Sequence, residues 1–361
     1  MARLRDEPPT TPSTSPSRAP ARREIVLRVA VVTAVALALY GPTFRSSFAY
    51  DDVDYFNAAA EHLSGRTPLL TVLFRPQGEH FLPALRLLIA GNAALFGMDA
   101  LVWRLLVFVS HVASALFLGA VARRYLPSPT SALTASVAFV LPAGFSSMWV
   151  WFPSGGCVPL GMVGITGATL AIASRDALGS RTSRLVAAAG VVWAVVFENG
   201  LVPLVACPAL LDEWERRRSG REGRGLGLFA AFCLAVMAAA VLATSVFYRR
   251  LTGASIEVEV VPAVLRTAFL LLAAPFRLLF PGQHPPRDLG TAGGSSALLG
   301  AYGLVVALLV AAVLAALLVR RAKSLVVAAA LLSVGPAGFV GLVAIARARV
   351  PFSELFDSDR Y

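Results

Sequence analysis

Apolar runs of membrane-spanning length most constrain how this chain can fold. They recur from residue 25 to residue 345, and each is close to the roughly 20 residues that cross the hydrocarbon core of a bilayer. Hydrophobic residues make up 57% of the 361 positions and charged residues only 15%, whereas soluble domains carry about 25% charged residues. Because the runs are apolar on every helical face, they predict lipid as the solvent. We therefore expect an all-α integral membrane protein.

About nine spans are predicted once one long run is divided. The run at 185–211 is too long for a single helix and contains Glu198-Asn199-Gly200. A charge and a glycine in mid-run favour two short helices that meet at a turn. The predicted spans are 25–43, 101–121, 131–152, 157–173, 185–197, 201–214, 226–248, 297–319 and 324–345.

Positive charge predicts which segments face the cytoplasm. With the N-terminus inside, the outer segments 44–100, 249–296 and 346–361 hold 12 of the 32 Lys and Arg residues. The shorter inner segments hold 18: they are 1–24, 122–130, 174–184, 212–225 and 320–323. This asymmetry obeys the positive-inside rule. A single span over 185–211 would reverse every later segment, so the divided interpretation is favoured and the bend at Glu198 faces outward.

Residues 1–24 and 25–361 form two parts of different character. The first part is rich in Pro, Ser, Thr and Arg, cannot bury enough apolar surface to fold, and is predicted to be a disordered cytoplasmic tail. A signal peptide is the alternative, but 24 residues before the apolar run are too many for an ordinary n-region. The second part is the transmembrane domain.

The net charge of +11 indicates membrane lipids rather than nucleic acid as the partner. The arginines lie in short segments between the apolar runs, where anionic lipid and the insertion machinery meet them. All but one of the 32 basic residues are Arg, which is typical of a GC-rich bacterial genome. We therefore expect a multi-pass protein of a bacterial plasma (inner) membrane.

The two long outer segments, 44–100 and 249–296, contain amphipathic stretches at 80–97 and 263–282. Apolar residues at helical spacing with polar breaks predict helices that lie along the membrane surface. An extra pair of true spans is the alternative interpretation.

Asp51 and Asp52 are the candidate catalytic residues. They stand in FAYDDVDYFNAAAEHL, 48–63, directly after the first span. One interpretation is a helix N-cap, because an acidic first turn complements the helix dipole. The other is a carboxylate held at the membrane surface as a general base.

Four further polar residues are candidates for the same site. Arg75, Glu79 and His80 precede the amphipathic stretch, and Glu198 lies inside an apolar hairpin, where an ionisable residue usually faces a cavity or a partner. A cap shared with Asn199 is the alternative for Glu198. The four histidines lack ligand spacing and the three cysteines lie inside apolar runs, so no metal site is predicted.

The order of the Asp pair, the amphipathic stretch and the hairpin at Glu198 resembles that of the multi-span glycosyltransferases of the GT-C type. The resemblance is to the protein O-mannosyltransferase-like branch in particular, glycosyltransferase family 39. The Asp pair is similar to that family's paired-acid motif. The segment 74–118 is similar to its RP-led surface helix and following span, and FENGLVPLVACPALLDEW, 197–214, to its hairpin, with Phe197 where the family carries Lys. SDRY, 358–361, resembles the start of a motif that leads into further spans, so we expect the sequence to continue past Tyr361.

The resemblance implies a GT-C-like helical bundle that transfers a sugar from a polyprenyl-phosphate donor to an acceptor at the outer face, with inversion. The acceptor is a protein, a lipid or a cell-envelope glycan. Asp51 or Asp52 would be the base, Arg75 and Arg360 would hold the phosphate, and Glu198 would line the cavity floor. The resemblance fixes no cofactor and leaves a divalent cation open.

Two other functions compete with this one. Glu198 and the mid-span Arg104 also fit the substrate path of a transporter or lipid flippase, although no inverted repeat is found in the sequence. A catalytically silent membrane scaffold is the second alternative.

Overall fold

The structure is a computed structural model that describes residues 19–45, 52–75, 82–97, 99–126, 128–141, 157–218 and 227–252. Every regular element within these ranges is helical, as predicted. The helices are α1 (Ala19–Tyr40), α2 (Asp52–Leu63), α3 (Leu69–Leu73), α4 (Pro83–Phe96), α5 (Ala100–Tyr125), α6 (Pro129–Val140), α7 (Cys157–Ala173), α8 (Arg175–Leu178), α9 (Ser180–Phe197), α10 (Ala206–Arg218) and α11 (Leu228–Thr252), with 3₁₀ turns at Gly41–Arg45 and Asn199–Val205.

Three helical segments are long and apolar enough to cross a membrane. They are Arg22–Arg45, Ala100–Tyr125 and Ser180–Phe197, with mean hydropathies of 2.0, 2.2 and 1.2. Shorter apolar helices occur at four further places: Pro83–Phe96, Pro129–Val140, Cys157–Ala173 and Leu228–Ala240. The described helices therefore fit a helical membrane protein, and the count of nine spans stays a prediction. Spans 297–319 and 324–345 and the amphipathic stretch 263–282 lie outside the described residues.

Helix α1 begins at Ala19, so the tail predicted for residues 1–24 ends earlier than expected. Its first turns carry Arg22, Arg23 and Glu24 and extend beyond the apolar run. Arg and Glu are good helix formers, and Pro20 suits the first turn of a helix. Glu24 also accepts a hydrogen bond from Arg123 of α5 at 3.1 Å, which stabilises this charged extension. Residues 1–18 lie outside the described part of the chain.

Helices α1 and α5 pack antiparallel. Glu24 near the start of α1 meets Arg123 at the end of α5. At the other end, the ring of Tyr40 contacts the ring of His111 edge-on at 5.5 Å. The Tyr40 hydroxyl also donates to the carbonyl of Val140 at 2.7 Å, which joins α1 to the end of α6. His111 therefore lies in an aromatic contact between helices.

Helices α7 and α9 approach each other closely, because glycines line their contact. A Cβ on Gly190 would come within 2.6 Å of the carbonyl oxygen of Gly164, and a Cβ on Gly164 would overlap the carbonyl oxygen of Gly190. Small residues let two backbones approach closely and gain van der Waals contact where lipid supplies no hydrophobic drive. Trp193 fixes the register further, since its indole N–H donates to the carbonyl of Leu160 at 2.8 Å.

The predicted break at Glu198 is confirmed. Helix α9 ends at Phe197, Glu198 is extended, and a 3₁₀ turn leads into α10. Helix α10 then runs back along the bundle, because Asp212 in its middle pairs with Arg184 near the start of α9 at 3.2 Å. The segment is a hairpin with a short second arm.

Ion pairs gather at the end of the bundle where α5 and α10 end and α9 begins. We call this the arginine-rich end. Arg124 pairs with Asp176, Arg175 with Glu215 at 3.1 Å, and Arg216 with Glu213 at 2.7 Å, while Tyr125 donates to Glu215 at 3.0 Å. The described residues of the predicted inner segments 122–130, 174–184 and 212–225 thus meet in space, and Glu24 joins them through Arg123.

Candidate functional site

Helix α2 carries one of the two candidate catalytic residues at its first position. Asp52 opens the helix and Asp54 lies in the same turn, where negative charge complements the helix dipole. Asp51 lies outside the described residues. The start of α2 therefore agrees with both the cap and the general-base interpretation.

A glycine turn ends α2 sharply. Gly65 has φ 75°, and the N–H of Gly65 and of Arg66 donate to the carbonyls of His62 and Glu61 at 2.9 Å each. This is a Schellman motif, in which glycine adopts the left-handed conformation at little cost. The chain can thereby turn at once into α3, so that α2 and α3 form a compact pair.

Two adjacent aromatic residues fasten α2 to different neighbours. Tyr55 and Phe56 are 2% and 3% exposed. Phe56 contacts the ring of Trp103 on α5 edge-on at 5.9 Å, while the ring of Tyr55 lies under the guanidinium of Arg86 on α4, 4.8 Å from ring centroid to the guanidinium carbon. The helix that carries Asp52 is therefore held on two sides.

Arg86 is the functional candidate that sequence reasoning missed. It stands among leucines in PALRLLIAGNAALF and is only 3% exposed. Burial lowers the pKa of its guanidinium; Arg75 lowers that pKa further, while Tyr55 and Asp54 raise it. The signal that could have found Arg86 is its spacing: it precedes the buried Ile89 and Ala90 by three and four residues, so the three share one face of α4.

Arg75 lies at the far end of α2 from Asp52. Its guanidinium pairs with Glu61 at 3.7 Å, and both side chains are about half exposed. The two residues line a shallow cleft of 570 Å³ between α2 and α3, whose other lining residues are Thr67, Thr71, Val72 and Phe74. The structure thus joins Arg75 to the end of α2 rather than to its start.

Glu198 is buried at the helix break. It is 4% exposed, and its Oε2 accepts a hydrogen bond from Sγ of Cys157 at 2.7 Å. Cys157 is the first residue of α7, so the carboxyl group lies at a helix N-terminus, where negative charge is favoured. The sequence places Cys157 inside an apolar run and gives no signal of this role as a hydrogen-bond donor.

One hydrophobic cluster joins the two parts of the candidate site. It includes Tyr55 and Phe56 of α2, Leu85 and Ile89 of α4, and Cys157 and Phe197 beside Glu198. Helix α4 contacts both α2 and α9. Asp52 and Glu198 therefore belong to the same end of the bundle, opposite the arginine-rich end.

The remaining predicted residues, Glu79, His80 and Arg360, lie with Asp51 outside the described residues. Within the ranges that the structure describes, no three His, Cys, Asp or Glu side chains come together as a metal ion would require. The described part of the site thus consists of the start of α2, the buried Arg86 and the buried Glu198.

No protein-family model, curated protein or solved structure matches this chain. Its function must therefore be argued from its own residues and from how the helices arrange them.

Proposed function

We propose that this protein is a membrane glycosyltransferase with a GT-C-like helical bundle. It would transfer a sugar from a polyprenyl-phosphate donor to a hydroxyl group of an acceptor at the extracytoplasmic face of a bacterial plasma membrane. The acceptor is a protein, a lipid or an envelope glycan, and the resemblance to the family 39 branch supplies this substrate class.

The observation that carries the proposal is the position of Asp52. It opens a helix at the end of the bundle opposite the ion-paired arginines. If the arginine-rich end faces the cytoplasm, as the positive-inside rule predicts, Asp51-Asp52 lies where the outer leaflet meets water. A polyprenyl phosphate would present its phosphate group at this level, with its tail between the helices.

The chemistry requires a base and little activation of the leaving group. The acceptor oxygen forms a bond to the anomeric carbon as the bond from that carbon to the phosphate oxygen breaks, so the configuration inverts. The hydroxyl proton passes to the carboxylate of Asp51 or Asp52, and the polyprenyl phosphate leaves with the bonding electrons. The protein would contribute mainly orientation and charge balance, which are the roles proposed for Arg75, Arg360, Glu79, His80 and Glu198.

The test is sugar transfer by membranes that contain the protein. Radiolabelled polyprenyl-phosphate mannose and glucose are supplied, and transfer to endogenous acceptors is compared for the wild type, Asp51→Asn and Asp52→Asn. Loss of one general base lowers the rate by about 10²–10⁴-fold, so at least one variant should fall that far. Asp99→Asn is the matched control, because Asp99 is an exposed carboxylate whose side chain caps α5, a role that asparagine can keep, and this variant should retain activity. Equal transfer by all three variants contradicts the base assignment.

A transporter is the second candidate, because two ionisable residues are buried among apolar helices. Glu198 is 4% exposed and Arg104 on α5 is fully buried, and such residues often mark a substrate path. Translocation of a fluorescent polyprenyl-phosphate sugar in proteoliposomes, without transfer to any acceptor, would favour this function over a transferase.

A further inference from the structure

We propose that Arg86 is a positioning residue for Asp52, because it holds α2 against α4 through the ring of Tyr55. The inference rests on the proposed function, since it assigns a role within the same site. Arg86 would not touch the substrate; it would fix the helix that begins at Asp52.

Distance along α2 distinguishes Arg86 from Arg75. Tyr55 follows Asp52 by three residues, about 4.5 Å along the axis of an α-helix, whereas Glu61 follows it by nine, about 13.5 Å. Arg86 contacts Tyr55 and Arg75 contacts Glu61. Of these two arginines, Arg86 is therefore the one held next to the turn that begins at Asp52.

The contacts of Tyr55 and Phe56 lie on different sides of α2. The two residues are neighbours in sequence and so point about 100° apart around the helix. Phe56 contacts Trp103 of α5 and Tyr55 contacts Arg86 of α4. Together with the buried Ala58 and Ala59, these contacts oppose rotation of α2 about its axis and hold the direction of its first turn.

Burial of an arginine at this place is costly, which indicates that its charge has a use. A leucine would satisfy the surrounding core, which includes Leu85 and Ile89, because burying a charge costs free energy unless it is compensated. A desolvated guanidinium over an aromatic face gains electrostatic attraction that a leucine cannot supply. The arrangement therefore favours directional attachment of α2 over simple packing.

Transfer kinetics test the proposal first. Arg86→Met keeps the apolar stem and removes the charge, and it should lower kcat by about 10- to 100-fold with the donor KM unchanged, as misplacement of a reacting group does. Arg86→Lys keeps a cation over the ring and should restore most of kcat.

The partner residue Tyr55 gives the second comparison. Tyr55→Leu should lower kcat as much as Arg86→Met does, while Tyr55→Phe should keep its kcat. The double variant Arg86→Met/Tyr55→Leu should lose no more kcat than either single variant. Additive losses, or a raised KM at unchanged kcat, would overturn the proposal.

Cysteine labelling tests the same contact without any assay of activity. Ala59 of α2 is 1% exposed, so Ala59→Cys should resist a water-soluble maleimide in the wild-type background. It should react several-fold faster beside Arg86→Met or Tyr55→Leu, whereas the exposed position Asn57→Cys should react equally in every background. Unchanged protection at position 59 overturns the role of Arg86.

The two experiments separate the two proposals. A wild-type protein that transfers no sugar contradicts the proposed function, and the labelling result then decides whether Arg86 holds α2. If Arg86→Met does not fold, the two Tyr55 variants decide the role of the contact.

Discussion

At the scale of single residues, the pair of Cys157 and Glu198 links a helix start to a helix break. The thiol at the start of α7 donates to the carboxyl group that follows α9. A buried carboxyl group that loses its hydrogen-bond donor destabilises the folded state, because neither protein nor water then replaces the hydration that it lost on burial. Cys157 thus stabilises the position of the one acidic residue that interrupts the hairpin.

We expect Cys157→Ala to destabilise the protein by about 1–3 kcal/mol more than Cys233→Ala, because only the first removes a donor to a buried carboxyl group. Both cysteines are fully buried, so the loss of apolar volume is the same in the two variants. The free energies of unfolding, measured in mixed detergent micelles, give the comparison. Equal destabilisation by the two substitutions would show that the thiol contributes only volume.

At the scale of helices, the contact of α7 with α9 depends on the absence of side chains at Gly164 and Gly190. Neither glycine can gain a Cβ without displacing the facing backbone. Gly167 lies on the same helix as Gly164, but a Cβ there would meet the ring of Phe117 at 3.6 Å, an ordinary contact. Gly164 and Gly167 thus share a helix and a residue type, but only Gly164 lies against a facing backbone.

Gly190→Ala should therefore lower the stability of the bundle by about 1–3 kcal/mol, the usual cost of overpacking. Gly167→Ala should leave stability unchanged or raise it by up to about 1 kcal/mol, because alanine is the better helix former. Thermal unfolding of the two purified variants measures the difference. A neutral result for Gly190→Ala would mean that α7 and α9 are not packed as closely as described.

Local features of these helices were predictable from the sequence, and their pairings were not. The break at Glu198 follows from a charge and a glycine in an apolar run, and the start of α2 from an acidic turn after a span. Burial of Arg86 depends on α2 folding over α4, and the facing of Gly164 and Gly190 depends on how two helices meet. Periodicity indicates which face of a helix is covered but not which helix covers it, so neither contact could be predicted from the sequence.

At the scale of the whole molecule, the described helices separate two ends of different chemistry. One end holds the ion pairs of α5, α8, α9 and α10, and the other holds the cluster around Tyr55, Trp103 and Phe197. The sequence predicted that the first end faces the cytoplasm. The structure adds that segments far apart in the chain meet there.

Labelling from outside intact cells should therefore reach Asp54→Cys and leave Thr182→Cys unmodified. Both positions are exposed and lie at opposite ends of the bundle, and the three native cysteines are buried. Permeabilised cells provide the control, since both positions should then react. Labelling of position 182 alone from outside would reverse the proposed orientation.

The two partners of each ion pair at the arginine-rich end are translated at different times. Arg124, Arg175 and Arg184 precede the acidic residues that they contact by 52, 40 and 28 positions, which is on the order of seconds of translation. If the arginine-rich end faces the cytoplasm as the sequence predicts, the arginines would be unpaired during those seconds and would hold their loops on the ribosome side while the spans insert. Once the acidic residues of α8 and α10 have been made, the same charges are paired in the finished bundle. One set of arginines would thus serve first as a topological signal and later as ion-pair partners that join the helices.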